Sequence, residues 1–221
     1  MIKEDKSRVI FNLNGTPQTV FASQIRRFSD VLREDLGLKG TKVGCDAGDC
    51  GACTILINGE QRYACLTATG QLEGCDVRTV EGLSKNGELT SLQNSFLEEG
   101  AAQCGICTPG MLMAAQSLLD KVPHPSEEQV LEALSGVLCR CTGYTKIVKA
   151  VINSGQKKTS ISSPDAGNAV GSRMVKVDGQ KNLPEKNFLE QTKPLRTPFG
   201  SGQYVLHMRA RDFLLLIQKK F

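Results

Sequence analysis

The sequence has no long apolar run, no internal repeat and no long low-complexity tract. Its longest strongly apolar run, residues 213–217, is far too short to cross a bilayer. The N-terminal residues MIKEDKSRV are charged and lack the apolar core of a signal peptide. No Ser/His/Asp set or pair of carboxylates stands out as a catalytic constellation. A cytoplasmic protein without a complete active site on this chain is therefore predicted.

Tryptophan is also absent, and aromatic residues make up only 5% of the 221 residues. The chain is nevertheless 40% hydrophobic and 23% charged, which is typical of a globular protein and excludes a wholly disordered or collagen-like chain. This length suits one ordinary domain or two small ones.

Cysteine is the informative residue type. All nine cysteines lie between positions 45 and 141, and a reducing compartment favours metal or redox roles over disulfides. Charge divides the chain at the same place, because residues 1–153 hold 15 Lys/Arg against 18 Asp/Glu and residues 154–221 hold 12 against 5. The charges of this basic part are dispersed among few aromatics, so we expect no nucleic-acid binding but a solvated linker and a partner-docking segment.

The first 82 residues predict a small sheet crossed by one helix. Alternating apolar runs flank Asn-Gly pairs at residues 14–15 and 58–59, and each pair predicts a β-hairpin. Ser29 is a plausible N-cap for a short helix over residues 30–36. A further strand is expected over residues 76–80.

Residues 83–153 predict a small helical bundle. One helix is expected at residues 91–99, capped by Ser91, and another after the N-cap Thr108. A capping box of Ser126 with Gln129 begins a third helix. The last helix is expected at residues 144–152. A small, polar linker follows over residues 154–172, and residues 173–221 hold few core candidates.

The first cysteine set has the leading spacing of plant-type [2Fe–2S] ferredoxins, C-x4-C-x2-C, followed by a fourth cysteine after the second hairpin. Glycines surround these residues, and a glycine-rich loop can wrap a cluster closely and point its N–H groups at the sulfurs. A structural zinc site is the alternative, although two close-spaced pairs would suit zinc better. The four residues are Cys45, Cys50, Cys53 and Cys65.

The second set is a C-x2-C pair and a C-x-C pair separated by thirty-one residues. Spacing alone leaves zinc and iron equally open. Both pairs fall at predicted helix ends, where a rigid pocket suits an anionic cofactor. The four residues are Cys104, Cys107, Cys139 and Cys141. Cys75 is left over and is interpreted as a small buried hydrophobe.

The motifs GCDAGDCGACTILING, QCGICTPGMLM and LCRCTGY occur in this order. Over residues 5–153 the chain closely resembles the iron–sulfur subunit or domain of the molybdenum hydroxylases, the xanthine dehydrogenase and aldehyde oxidoreductase family. The resemblance implies an α+β fold. A β-grasp, plant-type ferredoxin-like domain (1–82) would carry the first [2Fe–2S] cluster, and a four-helix domain (83–153) the second, before a largely irregular tail.

The resemblance also implies an electron-transfer component of an oxidoreductase. Electrons would pass from a molybdopterin cofactor to the helical-domain cluster, then to the ferredoxin-like cluster, then to FAD or an external acceptor. Gln103 occupies the position that contacts the pterin, and Cys141 would lie near it too. The implied partners are a molybdenum-binding large subunit and, where FAD is used, a FAD subunit. Substrate specificity would reside on the molybdenum subunit.

The tail departs from the family pattern. Residues 170–179, VGSRMVKVDG, resemble the opening of the family's molybdenum-binding subunit, and the resemblance then fades. The hypothesis is an iron–sulfur/molybdenum fusion without a flavin domain, cut short by a stop or frameshift. Two hypotheses from other classes remain, a structural zinc or interaction module and a self-contained redox carrier.

Overall fold

The computed structural model describes residues 7–84 and 88–155. A five-stranded sheet and one short helix form the first lobe, and four further helices form the second. The predictions about the linker and tail beyond residue 155 lie outside the described residues. The strands are β1 (Ser7–Leu13), β2 (Thr16–Ala22), β3 (Thr54–Ile57), β4 (Glu60–Tyr63) and β5 (Asp76–Arg78). The helices are α1 (Phe28–Asp30), α2 (Ser91–Glu99), α3 (Thr108–Leu119), α4 (Glu127–Leu134) and α5 (Thr145–Asn153).

The sheet has the strand order β2-β1-β5-β3-β4. β1 runs parallel to β5, and the other neighbouring pairs are antiparallel. Both predicted hairpins are confirmed. Asn14 and Gly15 have φ of 53° and 81°, and Asn58 and Gly59 have φ of 53° and 82°. Two successive positive φ values are the geometry of the two-residue turn that asparagine and glycine favour.

The first helix differs from its prediction. α1 begins at Phe28 and continues into a π-helical turn, Val31–Asp35. Ser29 therefore lies inside the helix, fully buried, and the prediction that it is the N-cap is wrong. The N–H groups of Phe28 and Ser29 instead donate to the carbonyls of Thr67 and Ala64. Backbone from a distant loop satisfies the helix start, so no side-chain cap is required.

The last strand is shorter than predicted. β5 ends at Arg78, because Asn14 Oδ1 accepts from the Thr79 N–H at 2.9 Å and a 3-10 turn, Val80–Gly82, follows. The Asn14 side chain thus occupies the Thr79 N–H, which would donate to a neighbouring strand if β5 continued.

Two helix caps also differ from prediction. α2 is capped by Thr90 rather than Ser91, since Thr90 Oγ1 accepts from the Gln93 N–H. α3 has Cys107 at the N-cap, and Thr108 is its first helical residue with a buried hydroxyl that has no partner in the described structure. The capping box of Ser126 and Gln129 is confirmed at α4.

Each lobe has its own hydrophobic core, and the two cores lie side by side. Phe11 and Phe28 meet edge to face in the sheet lobe, with ring centroids 5.4 Å apart. The helical core gathers α2–α5 around the fully buried Met111 and Leu112. Leu56 of β3 belongs to this second core, so the β3–β4 hairpin packs directly on α3. Among the described helices, none has the length and apolar character needed to span a membrane.

Candidate metal centres

The first cysteine set is gathered by the β3–β4 hairpin and the loop before it. Cys53 directly precedes β3 and Cys65 follows β4 by two residues, so strand pairing brings them together. Both are buried, and their thiols lie within hydrogen-bonding reach of each other. Cys45 and Cys50 form a second thiol pair in the loop and are half-buried. The structure thus brings all four residues to one end of the sheet lobe.

Backbone N–H groups of the loop point at one sulfur. Cys45 Sγ accepts from the N–H groups of Ala47, Asp49 and Cys50 at 3.3–3.4 Å. Burial raises the pKa of Cys45, but these N–H bonds and the thiol of Cys50 outweigh it and lower the pKa to about 7. The loop is therefore built to stabilise negative charge on sulfur.

Glycine is required in this loop by geometry. Gly48 has a φ of 84°, and a Cβ there would collide with the side chain of Leu66. At Gly44, a Cβ would lie 2.9 Å from Cys50 Sγ. The salt bridge from Arg27 to Asp46 ties the loop to the start of α1. Sequence reasoning did not identify Arg27, because no local pattern connects it to the cysteines.

The second cysteine set lies where two helix connections meet. Cys104 and Cys107 lie between α2 and α3, and Cys139 and Cys141 lie between α4 and α5, as predicted. Cys107 pairs with Cys139, and Cys104 pairs with Cys141. Cys107 is buried, Cys139 half-buried, and the other two are exposed. The set therefore has one inner and one outer thiol pair.

Neighbouring groups shift the pKa values of the two inner thiols, Cys107 and Cys139, in opposite directions. Burial raises the pKa of Cys107, and its contact with Cys139 adds to that. The pKa of Cys139 is lowered, because hydrogen bonds from Thr142, 3.2 Å from its sulfur, outweigh burial. The Tyr144 hydroxyl accepts from the Cys139 N–H at 3.0 Å and donates to the Val137 carbonyl at 3.3 Å. Tyr144 thus braces the turn, a role that its place at a predicted helix start did not reveal.

Gln103 lies against the second set. Its Nε2 donates to the carbonyl oxygen of Cys141 at 3.1 Å, and both residues are exposed. The two residues that the resemblance assigns to the pterin are therefore adjacent. Cys75, interpreted from the sequence as a small buried hydrophobe, is only half-buried. It packs against the first core with its thiol 3.6 Å from the Gln71 carbonyl.

The donor sets fit a two-iron cluster. Within residues 7–84 and 88–155, no three His, Cys, Asp or Glu side chains are grouped so as to hold one metal ion. The eight cysteines instead form four pairs, two in each lobe. A [2Fe–2S] cluster takes two thiolates at each of its two irons.

The two sets are connected by backbone. The N–H of Leu138 donates to the carbonyl of Cys50 at 2.9 Å. Leu138 is bonded to Cys139 in the chain, so one hydrogen bond links a cysteine of the first set to a cysteine of the second.

Comparison with known proteins matches two iron–sulfur domain models to the chain. Residues 11–74 match the model of a 2Fe-2S iron-sulfur cluster binding domain, and residues 79–152 match that of a [2Fe-2S] binding domain. The chain is 46% identical over 147 residues to the nicotinate dehydrogenase small FeS subunit of Eubacterium barkeri, covering 66% of this chain and 94% of that subunit. The chain belongs to the iron–sulfur subunits of the molybdenum hydroxylases.

Two further proteins of this family are similar along nearly their whole length. The xanthine dehydrogenase iron-sulfur-binding subunit of Escherichia coli O157:H7 is 40% identical over 151 residues, with 66% of this chain and 92% of that subunit covered. The solved structure of quinoline 2-oxidoreductase from Pseudomonas putida 86 includes a chain that is 47% identical, with a TM-score of 0.66. That match covers 67% of this chain and 92% of the other. The expected family, the α+β fold and an electron-transfer role for the iron–sulfur lobes are thereby confirmed.

Proposed function

We propose that this iron–sulfur subunit relays electrons from a molybdopterin site on a partner subunit to FAD or an external acceptor. The helical lobe would receive the electron first and the sheet lobe second. One cluster would be held by Cys45, Cys50, Cys53 and Cys65, and the other by Cys104, Cys107, Cys139 and Cys141. When bound, each cluster would take up and release one electron at a time.

The observation that carries the proposal is the link between two sets of paired thiols. Each set supplies two pairs, as a two-iron cluster requires. The Leu138–Cys50 hydrogen bond connects the two sets through backbone. Backbone N–H groups around Cys45 and the hydroxyl of Thr142 beside Cys139 favour ionised sulfur.

The exposed residues around the second cysteine set support the entry of electrons at the helical lobe. Cys104, Cys141 and Gln103 are all exposed, and the apolar side chains of Ile106 and Leu138 are 45% and 57% exposed beside them. Exposed apolar residues around a redox site suit a protein interface. We assign this face to the molybdenum-binding subunit, with Gln103 and Cys141 contacting the pterin.

The opposite end of the relay would lie at the sheet lobe. Leu66, which is 62% exposed, packs over Gly48 of the cysteine loop. Cys45 and Cys50 are the more accessible thiol pair of that lobe. We propose that FAD or an external acceptor approaches here.

Metal and sulfide analysis of the purified full chain tests the proposal. We expect a red-brown protein with about four irons and four acid-labile sulfides per chain. Its reduced form should show two distinct EPR signals. A colourless protein that contains zinc and no sulfide would refute it. When purified from its native host, the chain should copurify with a molybdopterin-containing subunit. A self-contained redox carrier would purify without one.

Two further proposals concern the domain boundaries and the location of the protein. The domain boundaries are proposed at residues 82 and 153, the linker over 154–172 and the molybdenum-subunit-like segment from 173. The proposed location is the cytoplasm, because none of the nine cysteines forms a disulfide and a reducing compartment favours metal or redox roles for cysteine.

A further inference from the structure

The two lobes meet along a seam where backbone lies directly on backbone. We define the seam as residues 50–52 of the sheet lobe with Gly110 and residues 136–138 of the helical lobe. Its central contact is the 2.9 Å hydrogen bond from the Leu138 N–H to the Cys50 carbonyl. Each segment of the seam contains or closely adjoins a proposed ligand, so its spacing determines how far apart the ligand sets lie.

Gly110 is present because of this close approach. A Cβ at Gly110 would lie 2.6 Å from the carbonyl oxygen of Gly51, 3.3 Å from that of Ala52 and 3.2 Å from Val137 Cγ1. Gly110 lies in α3, where alanine would be the better helix former. Two of the three obstructing atoms are backbone, so a methyl group there must push the lobes apart.

Gly51 and Gly136 make the second contact across the seam. Gly51 has a φ of 67°, and a Cβ there would lie 2.9 Å from both the carbonyl carbon of Gly136 and Val137 Cα. A Cβ at Gly136 would lie 2.7 Å from the hydroxyl of Tyr63. That hydroxyl donates to the Gly136 carbonyl at 2.9 Å and so holds the segment against the β3–β4 hairpin.

Side chains on both sides of the hairpin keep the seam in register. Gln61 Nε2 donates to the carbonyls of Ala133 and Ala114 at 3.3 and 3.5 Å. Ser117 Oγ donates to the Gly59 carbonyl at 3.1 Å. The hairpin that connects Cys53 and Cys65 is therefore attached to both α3 and α4.

We propose that Gly51, Gly110 and Gly136 are positioning residues that set the distance between the two ligand sets, and hence the electronic coupling of the two lobes. The absence of three side chains lets the cysteine loops touch through backbone. This inference rests on the proposed function, because the coupling has meaning only if both sets hold clusters.

The first test substitutes Gly110→Ala in the full 221-residue chain, with Gly74→Ala as control. Unlike Gly110, Gly74 has a positive φ of 71°, so alanine there strains the backbone, but nothing lies within 4 Å of its added Cβ. Gly74→Ala therefore controls for a destabilising glycine substitution away from the seam. We expect Gly110→Ala to keep its iron, its sulfide and both EPR signals. The magnetic splitting between the two reduced clusters should shrink, since dipolar coupling falls with the cube of distance, while Gly74→Ala keeps the wild-type splitting. Unchanged splitting in a Gly110→Ala protein with both clusters would overturn the proposal.

A second readout needs no cluster. Amide hydrogen exchange at Leu138 should be faster in Gly110→Ala than in the wild type, while exchange at Val9 in the sheet stays unchanged. Slow exchange at Leu138 in the variant would overturn the positioning role. If the wild type contained no iron, the proposed function would fail while this measurement still reported on the seam.

A rescue pair decides the question if Gly110→Ala does not fold. Gly136→Ala should weaken the splitting, and adding Tyr63→Phe should restore it to the level of Tyr63→Phe alone. Removal of the hydroxyl leaves the nearest ring carbon 3.8 Å from the new methyl, an ordinary contact. Failure of the double variant to recover would count against the proposal.

Discussion

The proposed ligands differ in how readily they ionise before any metal arrives. The pKa of Cys45 is about 7, because three backbone N–H groups and a neighbouring thiol outweigh the effect of burial. Burial raises the pKa of Cys53 to about 12, and it also raises the pKa of Cys107. Each lobe thus offers an inner thiol that is costly to ionise in an apolar setting, and binding of a cation there must displace a proton.

Replacement of one ligand should affect one lobe. Cys50→Ser is expected to remove the EPR signal of the sheet-lobe cluster and leave the helical-lobe signal, because the two ligand sets lie in different lobes, each with its own core. Cys75→Ser is the matched control, since Cys75 belongs to neither set. EPR of the reduced proteins, with iron analysis, measures this. Loss of both signals in Cys50→Ser would mean that the lobes do not assemble independently.

A buried carboxyl outside the ligand sets gives a pH-dependent prediction. Glu81 Oε1 accepts from the Gly40 N–H at 2.9 Å, and its Oε2 is buried without a partner in the described structure. Burial raises the pKa of Glu81, and hydrogen bonds from Thr79 and Gly40 and the charge of Lys42 only partly offset it. The segment it holds leads directly to the loop of Cys45.

Glu81→Gln should therefore change the pH dependence of stability. A carboxyl with a raised folded pKa stabilises the fold while protonated, and that contribution is lost as pH rises through the folded pKa. Above that pH, the free energy of unfolding of Glu81→Gln should exceed that of the wild type by on the order of 1 kcal/mol. Urea unfolding of both proteins between acid and neutral pH measures the difference. A difference in the free energy of unfolding that is the same at every pH would contradict the prediction.

Among the helices, caps form wherever the required side chain is adjacent in sequence. α2 and α4 have capping boxes built from Thr90 with Gln93 and from Ser126 with Gln129. α1, α3 and α5 have no side-chain cap. At α1 the distant loop of Ala64 and Thr67 accepts the first N–H groups, and at α3 the N-cap position is occupied by Cys107.

The cap of α2 can be tested with adjacent residues. Thr90→Ala should destabilise the protein by about 1 kcal/mol, because the Gln93 N–H loses its acceptor. Ser91→Ala should be nearly neutral, since Ser91 is the first helical residue and is exposed. The free energies of unfolding in urea provide the comparison. A larger loss at Ser91 than at Thr90 would contradict the observed cap.

Across the whole molecule, the β3–β4 hairpin belongs to both lobes. Ile55 and Leu56 are adjacent, and both are fully buried. Ile55 packs in the sheet core, and Leu56 packs in the helical core. Alternation along one strand thus sends neighbouring side chains to opposite cores.

Truncation of Ile55 and Leu56 in turn should show whether the sheet and helical lobes are stabilised together or independently. Leu56→Ala should cost about 2–5 kcal/mol and destabilise the sheet and helical lobes together, because it removes a contact between them. Ile55→Ala should cost a similar amount, with the greater loss of amide protection in the sheet. Urea unfolding followed by hydrogen exchange measures both. Protection lost in the helical lobe alone after Leu56→Ala would show that the lobes are not coupled through this strand.

The features that could be predicted from sequence are those whose determinants lie within a few residues of one another. The Asn-Gly turns and the Ser126 capping box are of this kind, and each was found where expected. The position of Gln103 beside Cys141 came only from the family resemblance, although the two residues are in contact.

Tertiary structure alone decided the features that depend on distant backbone. The start of α1 depends on carbonyls some forty residues away in the chain, the end of β5 on Asn14, and the seam on glycines from two lobes. The division of eight cysteines into four pairs is also of this kind, because a linear spacing does not determine which thiols face each other. Local sequence sets which hydrogen bonds a segment can make, and the packing of the two cores selects among them.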